Sequence, residues 1–352
     1  MKCLFLAAAL LISGCATVPP QQVAPISEPD LRATIATLAS DAFEGRMAGT
    51  PGEARTIAYI ADRFRAAGLT SGSRGPTLYL DPFVVAAKPK PKPNAPLVPG
   101  IPASQAEFMA HMVRLGSFTS HNVIGVARGR RPDGKAVVLM AHWDHLGLCA
   151  PKAEDKICNG AVDNASGVAA IIAVAEQVAR LGLDRDVWFV ATGAEEWGLL
   201  GARAFADRPP LPLTSIIAGF NLDTIAIAAA GSKVAMVAQP NSRLEYLVKD
   251  SALAMGRGWD GDREADNFLR RQDGWALAER GVPMVMVGGS FSNMALLKRF
   301  FAGSYHGPDD ELRPDTDLGG AVDDANLHVE LVRRAASRHF APPSARVPQL
   351  GR

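Results

Sequence analysis

The sequence has almost no excess charge, since 37 Lys and Arg residues balance 36 Asp and Glu residues for a formal net charge of +1. This balance gives no electrostatic case for nucleic-acid binding, since no long basic face is evident in the sequence. The only lysine-rich run, at 88–93, alternates lysine with proline and therefore predicts an extended, solvated spacer. We expect no nucleic-acid partner.

Internal repeats and the Gly-Pro periodicity of collagen are also missing. Hydrophobic residues make up 48% of the 352 residues, too large a share for a disordered chain. The length allows one large α/β domain or two domains of ordinary size. Composition therefore indicates a globular protein, and its function has to be sought in local motifs.

The apolar run at 3–12 is too short to span a bilayer, which takes about 20 apolar residues, and it suits the core of a signal peptide. It ends in Ile12-Ser13-Gly14-Cys15, which resembles the bacterial lipobox, where the cysteine is lipidated and becomes the first mature residue. This predicts a signal peptide at 1–14, a lipid on Cys15 and a proline-rich tether at 15–28. An ordinary signal peptide cut nearby, with Cys15 incidental, is the alternative.

A lipidated chain would be exported and held in the bacterial envelope, with the membrane as a partner through the lipid. Ala16, rather than Asp, after the cysteine favours the outer membrane facing the periplasm, by resemblance to Gram-negative lipoproteins. Cys149 and Cys158 would then be the two remaining thiols, and such a pair usually forms a disulfide in an oxidising compartment. Metal binding by this pair is the alternative, but no second Cys/His pair lies at finger spacing.

Strand patterns alternate with helix patterns along most of the chain. Two helices are expected within 29–69, followed by an edge strand and a lid-like insert at about 70–120. Strands are predicted at 123–126, 136–140, 187–191, 216–225, 233–237 and 283–287, and helices at 165–181, 197–206, 244–255, 274–279 and about 323–339. This order predicts an α/β fold: one three-layer domain at 29–341, a mixed, mostly parallel central sheet with helices on both faces, and a tail at 342–352.

Polar residues follow several of the predicted strands or precede helices, and in parallel sheets such positions meet at one edge. Five sites offer histidine or carboxylate side chains: His142 with Asp144, Asp163, Glu195 with Glu196, Asp223, and His306. Each has an ordinary explanation when taken alone, because Asp163 could cap a helix and Glu195-Glu196 could favour a helix N-terminus. Together they would bury several like charges, which is costly unless cations neutralise them, and imidazole with carboxylate suits zinc.

These residues occur in motifs that resemble those of the di-zinc aminopeptidases of metallopeptidase family 28. The matching segments are His142-x-Asp144, 159–167, Glu195-Glu196-x-Gly198-Leu199-Leu200-Gly201, Asn221-Leu222-Asp223, Tyr305-His306-x-Pro308-x-Asp310 and, upstream, 38–52. The likeness extends from about 31 to about 339 and implies a zinc-exopeptidase-like fold. It is weakest across 70–120 and 230–300.

The resemblance implies two zinc ions, with His142 and Asp223 on the first, Glu196 and His306 on the second, and Asp163 bridging both. It makes Glu195 the general base that takes a proton from a bridging water during hydrolysis of peptides with a free N-terminus. It also implies a cis peptide bond after Asp163. Asp144 would orient the imidazole of His142, since the two side chains project to the same side of a strand.

Tyr305 is a candidate oxyanion partner, with packing against His306 as the alternative. Related sequences often carry Ser-Asp-His where this chain has Arg271-Gln272-Asp273-Gly274. In the family this segment helps to line the substrate pocket. The sequence therefore leaves open which N-terminal residue of the substrate is preferred. Two other functions stay open: a glutaminyl cyclase with one zinc on the same fold, and a non-catalytic peptide-binding lipoprotein.

Overall fold

A central sheet of eight strands organises the protein, whose computed structural model describes residues 24–86, 116–150, 153–240 and 242–341. The strands are β1 (Thr70–Ser71), β2 (Leu80–Val85), β3 (Phe118–Ala127), β4 (Ala136–His142), β5 (Asp186–Thr192), β6 (Ile216–Asn221), β7 (Ala235–Val237) and β8 (Met284–Gly288). They lie in the order β1-β3-β5-β4-β6-β8-β7, and β2 pairs with β3. The four central strands β5, β4, β6 and β8 are parallel, whereas the outer pairings are antiparallel.

Eight α-helices are described around this sheet. They are α1 (Glu28–Leu38), α2 (Pro51–Ala66), α3 (Ser166–Leu181), α4 (Leu200–Asp207), α5 (Glu245–Ala254), α6 (Gly274–Ala278), α7 (Met294–Ala302) and α8 (Gly319–Ala335). Within the described ranges, no helix has both the length and the apolar character that a membrane crossing requires.

The two faces of the sheet are covered by different helices. In β4, Val137, Leu139 and Ala141 belong to the apolar core that α1, α2, α3 and α8 share. Val138 and Met140 point to the other side and pack with α4 and α6. This alternation is what a strand buried on both faces requires, and it confirms the predicted single α/β domain with three layers.

Most predicted elements are present, with shifted ends. The last helix runs over Gly319–Ala335 rather than 323–339. The helix begins with two glycines. At Gly320 an added Cβ would lie 1.9 Å from the carbonyl oxygen of Ala228, so glycine is required where the helix passes that backbone. The predicted strand at 216–225 ends at Asn221, and α7 was not expected at all.

Several predicted segments lie outside the described residues. These are the signal peptide at 1–14, Cys15 with most of the tether, the Lys-Pro run, the middle of the 70–120 insert and the tail at 342–352. The first part of the insert supplies the predicted edge strand, β2, which pairs with β3.

Arg46 joins the N-terminal segment to the central sheet. Its guanidinium is fully buried and donates hydrogen bonds to four carbonyl oxygens, those of Leu38 (2.7 Å), Trp143 (2.9 Å), Asn159 (2.5 Å) and Gly160 (2.9 Å). Burial lowers its pKa to about 10, and nearby carboxylates favour the charged form, so the guanidinium stays protonated at neutral pH. Arg46 therefore fixes two loops that carry predicted site residues.

We expect Arg46→Met to lower the free energy of unfolding by about 3 kcal/mol or more, because several buried carbonyls lose their donor. Urea unfolding followed by circular dichroism measures this loss. The control is Arg65→Met, which removes an exposed arginine paired with Asp62 and should cost less than about 1 kcal/mol. Equal stability of the two variants would contradict this role for Arg46.

Candidate metal centre

The last residues of the parallel strands lie together at one edge of the sheet. His142 at the end of β4 pairs with Thr192 at the end of β5, and Met140 pairs with Asn221 at the end of β6. The residues that follow these strands therefore meet in one place, as the sequence predicts.

One cluster joins His142, Asp163 and Asp223. His142 Nε2 lies 3.2 Å from Asp163 Oδ1 and 3.7 Å from Asp223 Oδ1, and all three side chains are largely buried. Ligand atoms of these three residues all lie within 4.8 Å of one another. His142 Nδ1 lies 3.1 Å from the carbonyl oxygen of Asp144, an interaction that would leave Nε2 to bind a metal.

A second cluster shares Asp163. His306 Nε2 lies 3.1 Å from Glu196 Oε2 and 3.3 Å from Asp163 Oδ2. The two oxygens of Asp163 thus face different clusters, the position expected of a bridging carboxylate. The structure brings together all five predicted metal ligands, and their role as ligands stays a prediction.

Asp163 owes its position to the loop around it. The peptide bond from Asp163 to Asn164 is cis, as the resemblance implies. The backbone N–H groups of Val162 and Asp163 donate to the two oxygens of Asp310, at 2.8 and 3.0 Å. Gly160 has φ +57°, and an added Cβ there would lie 2.6 Å from the His145 ring. Glycine is therefore required where this loop passes the histidine.

His145 is a site residue that the sequence analysis missed. Its ring is fully buried, with Nδ1 3.0 Å from Glu196 Oε1 and 3.8 Å from Asp163 Oδ2. Ligand atoms of His145, Asp163 and Glu196 also satisfy the spacing of a metal site. The available signal was its place beside Asp144, directly after the strand that ends at His142.

Asp144 makes backbone contacts that the sequence did not predict, and its predicted role beside His142 stays a prediction. Its carboxylate oxygens accept hydrogen bonds from the backbone N–H groups of Glu195 (2.9 Å) and Glu196 (3.3 Å), whereas His142 Nδ1 is 3.9 Å from Asp144 Oδ1. The carboxylate therefore holds the turn that carries the two glutamates, and the backbone carbonyl of Asp144 contacts the imidazole. Burial raises the pKa of Asp144 to about 8.

The donor set fits a metal. Asp163 Oδ2 and His306 Nε2 are buried and make no hydrogen bond with any described residue, although they face each other. Unpaired polar atoms in a buried site are costly unless something else satisfies them. Histidine nitrogens and carboxylate oxygens are ligands that zinc accepts, and a bound cation would neutralise the clustered carboxylates.

A cleft opens over these clusters. Glu195, Tyr305, Arg271 and Asp223 are among the residues that line it. Burial raises the pKa of Glu195 well above its usual range, and the charge of Glu196 acts in the same direction. The Tyr305 ring stacks on His306, with centroids 3.7 Å apart and planes inclined by 21°. Packing against His306 is therefore present, and Tyr305 also lines the cleft.

Asp273 lies behind the cleft, in the segment that departs from the usual Ser-Asp-His. Its carboxylate is buried and accepts a hydrogen bond from the Thr192 hydroxyl at the end of β5. Burial raises the pKa of Asp273 to about 6. The segment thus retains an aspartate at the strand edge, although its neighbours differ.

The loop between Cys149 and Cys158 is closed by a disulfide, which confirms the predicted pair. The Cα atoms lie 5.7 Å apart, and both cysteines are buried. Cys158 directly precedes the segment at 159–167, and its Sγ lies 3.7 Å from the His306 carbonyl oxygen. The closed loop therefore packs against the segment that carries His306.

Comparison with known proteins agrees with this geometry. Residues 122–329 match Peptidase family M28, a segment that covers more than half of the chain and contains the five predicted ligands. The chain belongs to peptidase family M28.

Two named bacterial proteins are similar to the chain in sequence. The chain is 26% identical over 259 residues to the alkaline phosphatase isozyme conversion protein of Escherichia coli, covering 71% of this chain and 66% of that protein. It is 32% identical over 111 residues to aminopeptidase YwaD of Bacillus subtilis, covering 30% of this chain and 22% of that protein. The alignments thus span less than two thirds of these relatives.

Solved structures share the fold of this family M28 chain. A zinc aminopeptidase from Bacillus subtilis superposes with a TM-score of 0.64 at 17% identity, covering 90% of this chain and 97% of the other. A glutaminyl cyclase from Bacteroides thetaiotaomicron, bound to N-acetylhistamine, superposes with a TM-score of 0.61 at 15% identity, covering 88% of this chain and 99% of the other. At these identities the likeness supports the fold.

We expect zinc to stabilise this M28 chain and Asp163→Asn to bind much less of it, because Asp163 faces both clusters. The measurements are metal content by mass spectrometry after dialysis and the melting temperature with and without chelator. Asp309→Asn, an exposed change three residues beyond His306, is the control and should retain zinc. Unchanged zinc content in Asp163→Asn would contradict the assignment.

Proposed function

We propose that the protein is a zinc-dependent aminopeptidase that removes N-terminal residues from peptides. The observation that carries this proposal is the pair of His/carboxylate clusters sharing Asp163, with Glu195 beside them in an open cleft. Membership of a peptidase family and local similarity to a named aminopeptidase support it. The substrates would be peptides with a free N-terminus.

The five predicted ligands would hold two zinc ions. His142 and Asp223 would bind the first, Glu196 and His306 the second, and Asp163 both. His145 would hold the other oxygen of Glu196, because its Nδ1 faces Oε1 whereas His306 faces Oε2. Zinc at such a site polarises a carbonyl and makes water more acidic.

Glu195 would act as the general base. It would take a proton from the attacking water and pass it to the nitrogen of the departing amine as the peptide C–N bond breaks. Asp144 would fix the position of Glu195, because its carboxylate accepts a hydrogen bond from the backbone N–H group of Glu195. The Tyr305 hydroxyl would donate a hydrogen bond to the oxyanion that forms on the substrate carbonyl.

A second candidate is a glutaminyl cyclase, which the structural likeness to the Bacteroides enzyme keeps open. It would close an N-terminal glutamine into a ring with release of ammonia, and a single zinc would be enough. A non-catalytic peptide-binding protein is the third, but every residue assigned to chemistry is present and assembled.

We expect Glu195→Gln to lower hydrolysis of aminoacyl anilides by about 100-fold or more while the protein keeps about two zinc ions per chain. Activity is measured with and without chelator, and ammonia release from Gln-peptides is measured in parallel. Glu245→Gln changes an exposed glutamate in the same way and should leave activity unchanged. Wild-type activity in Glu195→Gln would refute the mechanism, and ammonia release with one zinc would favour the cyclase.

We also propose that the protein is a lipid-anchored exported protein attached through Cys15. The disulfide supports export, because such bonds persist mainly in oxidising compartments. We expect Cys15→Ser to move the protein from the membrane fraction to the soluble fraction of an expressing bacterium. Thr17→Ser, a small change two residues away, should leave it membrane-bound. Persistent membrane association of Cys15→Ser would contradict lipidation at this residue.

A further inference from the structure

The cleft has two chemically different walls. One wall carries His142 and the carboxylates of Asp163, Glu195 and Asp223. The other is aromatic: Phe268 and Phe301 have ring centroids 5.1 Å apart, and Phe301 lies 4.7 Å from Tyr305. These aromatic rings come from the short 3₁₀ helix at Glu264–Arg271, from α7 and from the segment before His306.

Arg271 lies on the aromatic wall. Its guanidinium carbon is 5.6 Å from the ring centroids of both Phe268 and Phe301, and Nη2 donates to the Tyr305 hydroxyl at 3.4 Å. Stacking on two aromatic rings holds the planar guanidinium in place, so little side-chain entropy is lost when it forms hydrogen bonds. The Tyr305 ring in turn stacks on His306, so Arg271 is one tyrosine away from a predicted metal ligand.

Arg271 is a cation that has no carboxylate partner among the described residues. Two other arginines of this region are paired: Arg263 contacts Asp266 at 2.7 Å, and Arg257 contacts Asp324 at 2.7 Å. Apart from His142, Arg271 is the only basic side chain among the residues that line this cleft. The cleft therefore presents carboxylates on one side and one unpaired guanidinium on the other.

This arrangement fits a substrate with charges of both signs. Under the proposed function, the substrate brings an ammonium group, which the carboxylate wall attracts. A guanidinium binds a carboxylate through two parallel hydrogen bonds, and such a contact is stronger than a neutral one. A substrate carboxylate close to the scissile bond would pair with Arg271 while the N-terminus faces the carboxylates.

We propose that Arg271 binds a carboxylate of the substrate and so makes the enzyme prefer peptides with a carboxylate near the scissile bond. The inference rests on the proposed function. The carboxylate has two possible sources: the C-terminus of a dipeptide, or the side chain of an acidic N-terminal residue. Both present the same chemistry to Arg271, and matched substrates separate them.

The test compares matched substrate pairs in wild type, Arg271→Met and Arg271→Lys. Leu-Gly against Leu-Gly-amide reports on the C-terminal carboxylate, and Glu-anilide against Gln-anilide reports on the acidic side chain. In Arg271→Met, kcat/KM for the charged member of one pair should fall about 10- to 100-fold, mostly through KM, because a charge-assisted hydrogen bond is lost. The uncharged members should change less than about threefold. Arg271→Lys should recover part of the loss.

Arg270→Met is the control, because that neighbouring arginine stacks on Trp275 instead and does not line the cleft. It should leave both substrate ratios unchanged. An equal loss for charged and uncharged substrates in Arg271→Met would overturn the proposal, as would unchanged ratios. Melting temperatures of the variants show whether an equal loss in Arg271→Met comes from misfolding. If that variant is misfolded, the ratios of charged to uncharged substrate are compared in Arg271→Lys instead.

A binding measurement separates this inference from the proposed function. Calorimetric titration of Leu-Gly and Leu-Gly-amide, and of the α-amides of glutamate and glutamine, into zinc-loaded Glu195→Gln needs no turnover. Tighter binding of the charged ligand that disappears with Arg271→Met would support the carboxylate site even if wild type hydrolysed none of the peptides. Hydrolysis of neutral substrates by wild type, with equal binding of both members of each pair, would leave the aminopeptidase standing and refute the role of Arg271.

Discussion

Mutual repulsion of acidic side chains is the constraint on which the rest of this structure depends. Asp163, Glu195, Glu196 and Asp223 converge at one sheet edge, where each is buried or half-buried. Like charges in such surroundings raise one another's free energy, so the arrangement persists only if the surrounding chain holds it in place and cations offset it. The fold supplies the first condition through rigid strand ends, and the histidines and the proposed zinc ions supply the second.

A layer of backbone hydrogen bonds around the site does most of the holding. Asp144 accepts the N–H groups of the glutamate turn, Asp310 accepts those of Val162 and Asp163, and Arg46 donates to the carbonyls beside both loops. Each of these groups contacts main chain rather than the reacting side chains. They therefore fix the loops of the site without occupying a ligand position.

Sequence patterns predict the strand ends well because a buried parallel strand must be apolar and must stop where polar residues begin. That rule located His142, Glu196 and Asp223, and it gave the layered α/β fold. It could not reveal the part played by Arg46, whose partners Trp143 and Asn159 are far along the chain and offer only backbone atoms. The side-chain directions of Asp144 and His145 were equally hidden, since both depend on how a loop turns after β4 ends. No helix was expected at α7, although Met294, Leu297 and Phe301 recur there at helical spacing. The last helix was expected to begin only after the two glycines that start α8.

The contact between Asp310 and the loop at Asp163 joins segments 147 residues apart. His306, four residues before Asp310, belongs to the same segment near the C-terminal end of the domain. A nascent chain, or one cut short before this segment, therefore has Asp163 but lacks the carboxylate of Asp310 that accepts the hydrogen bond from its backbone N–H group. The site would therefore be complete only once nearly the whole chain is made and folded.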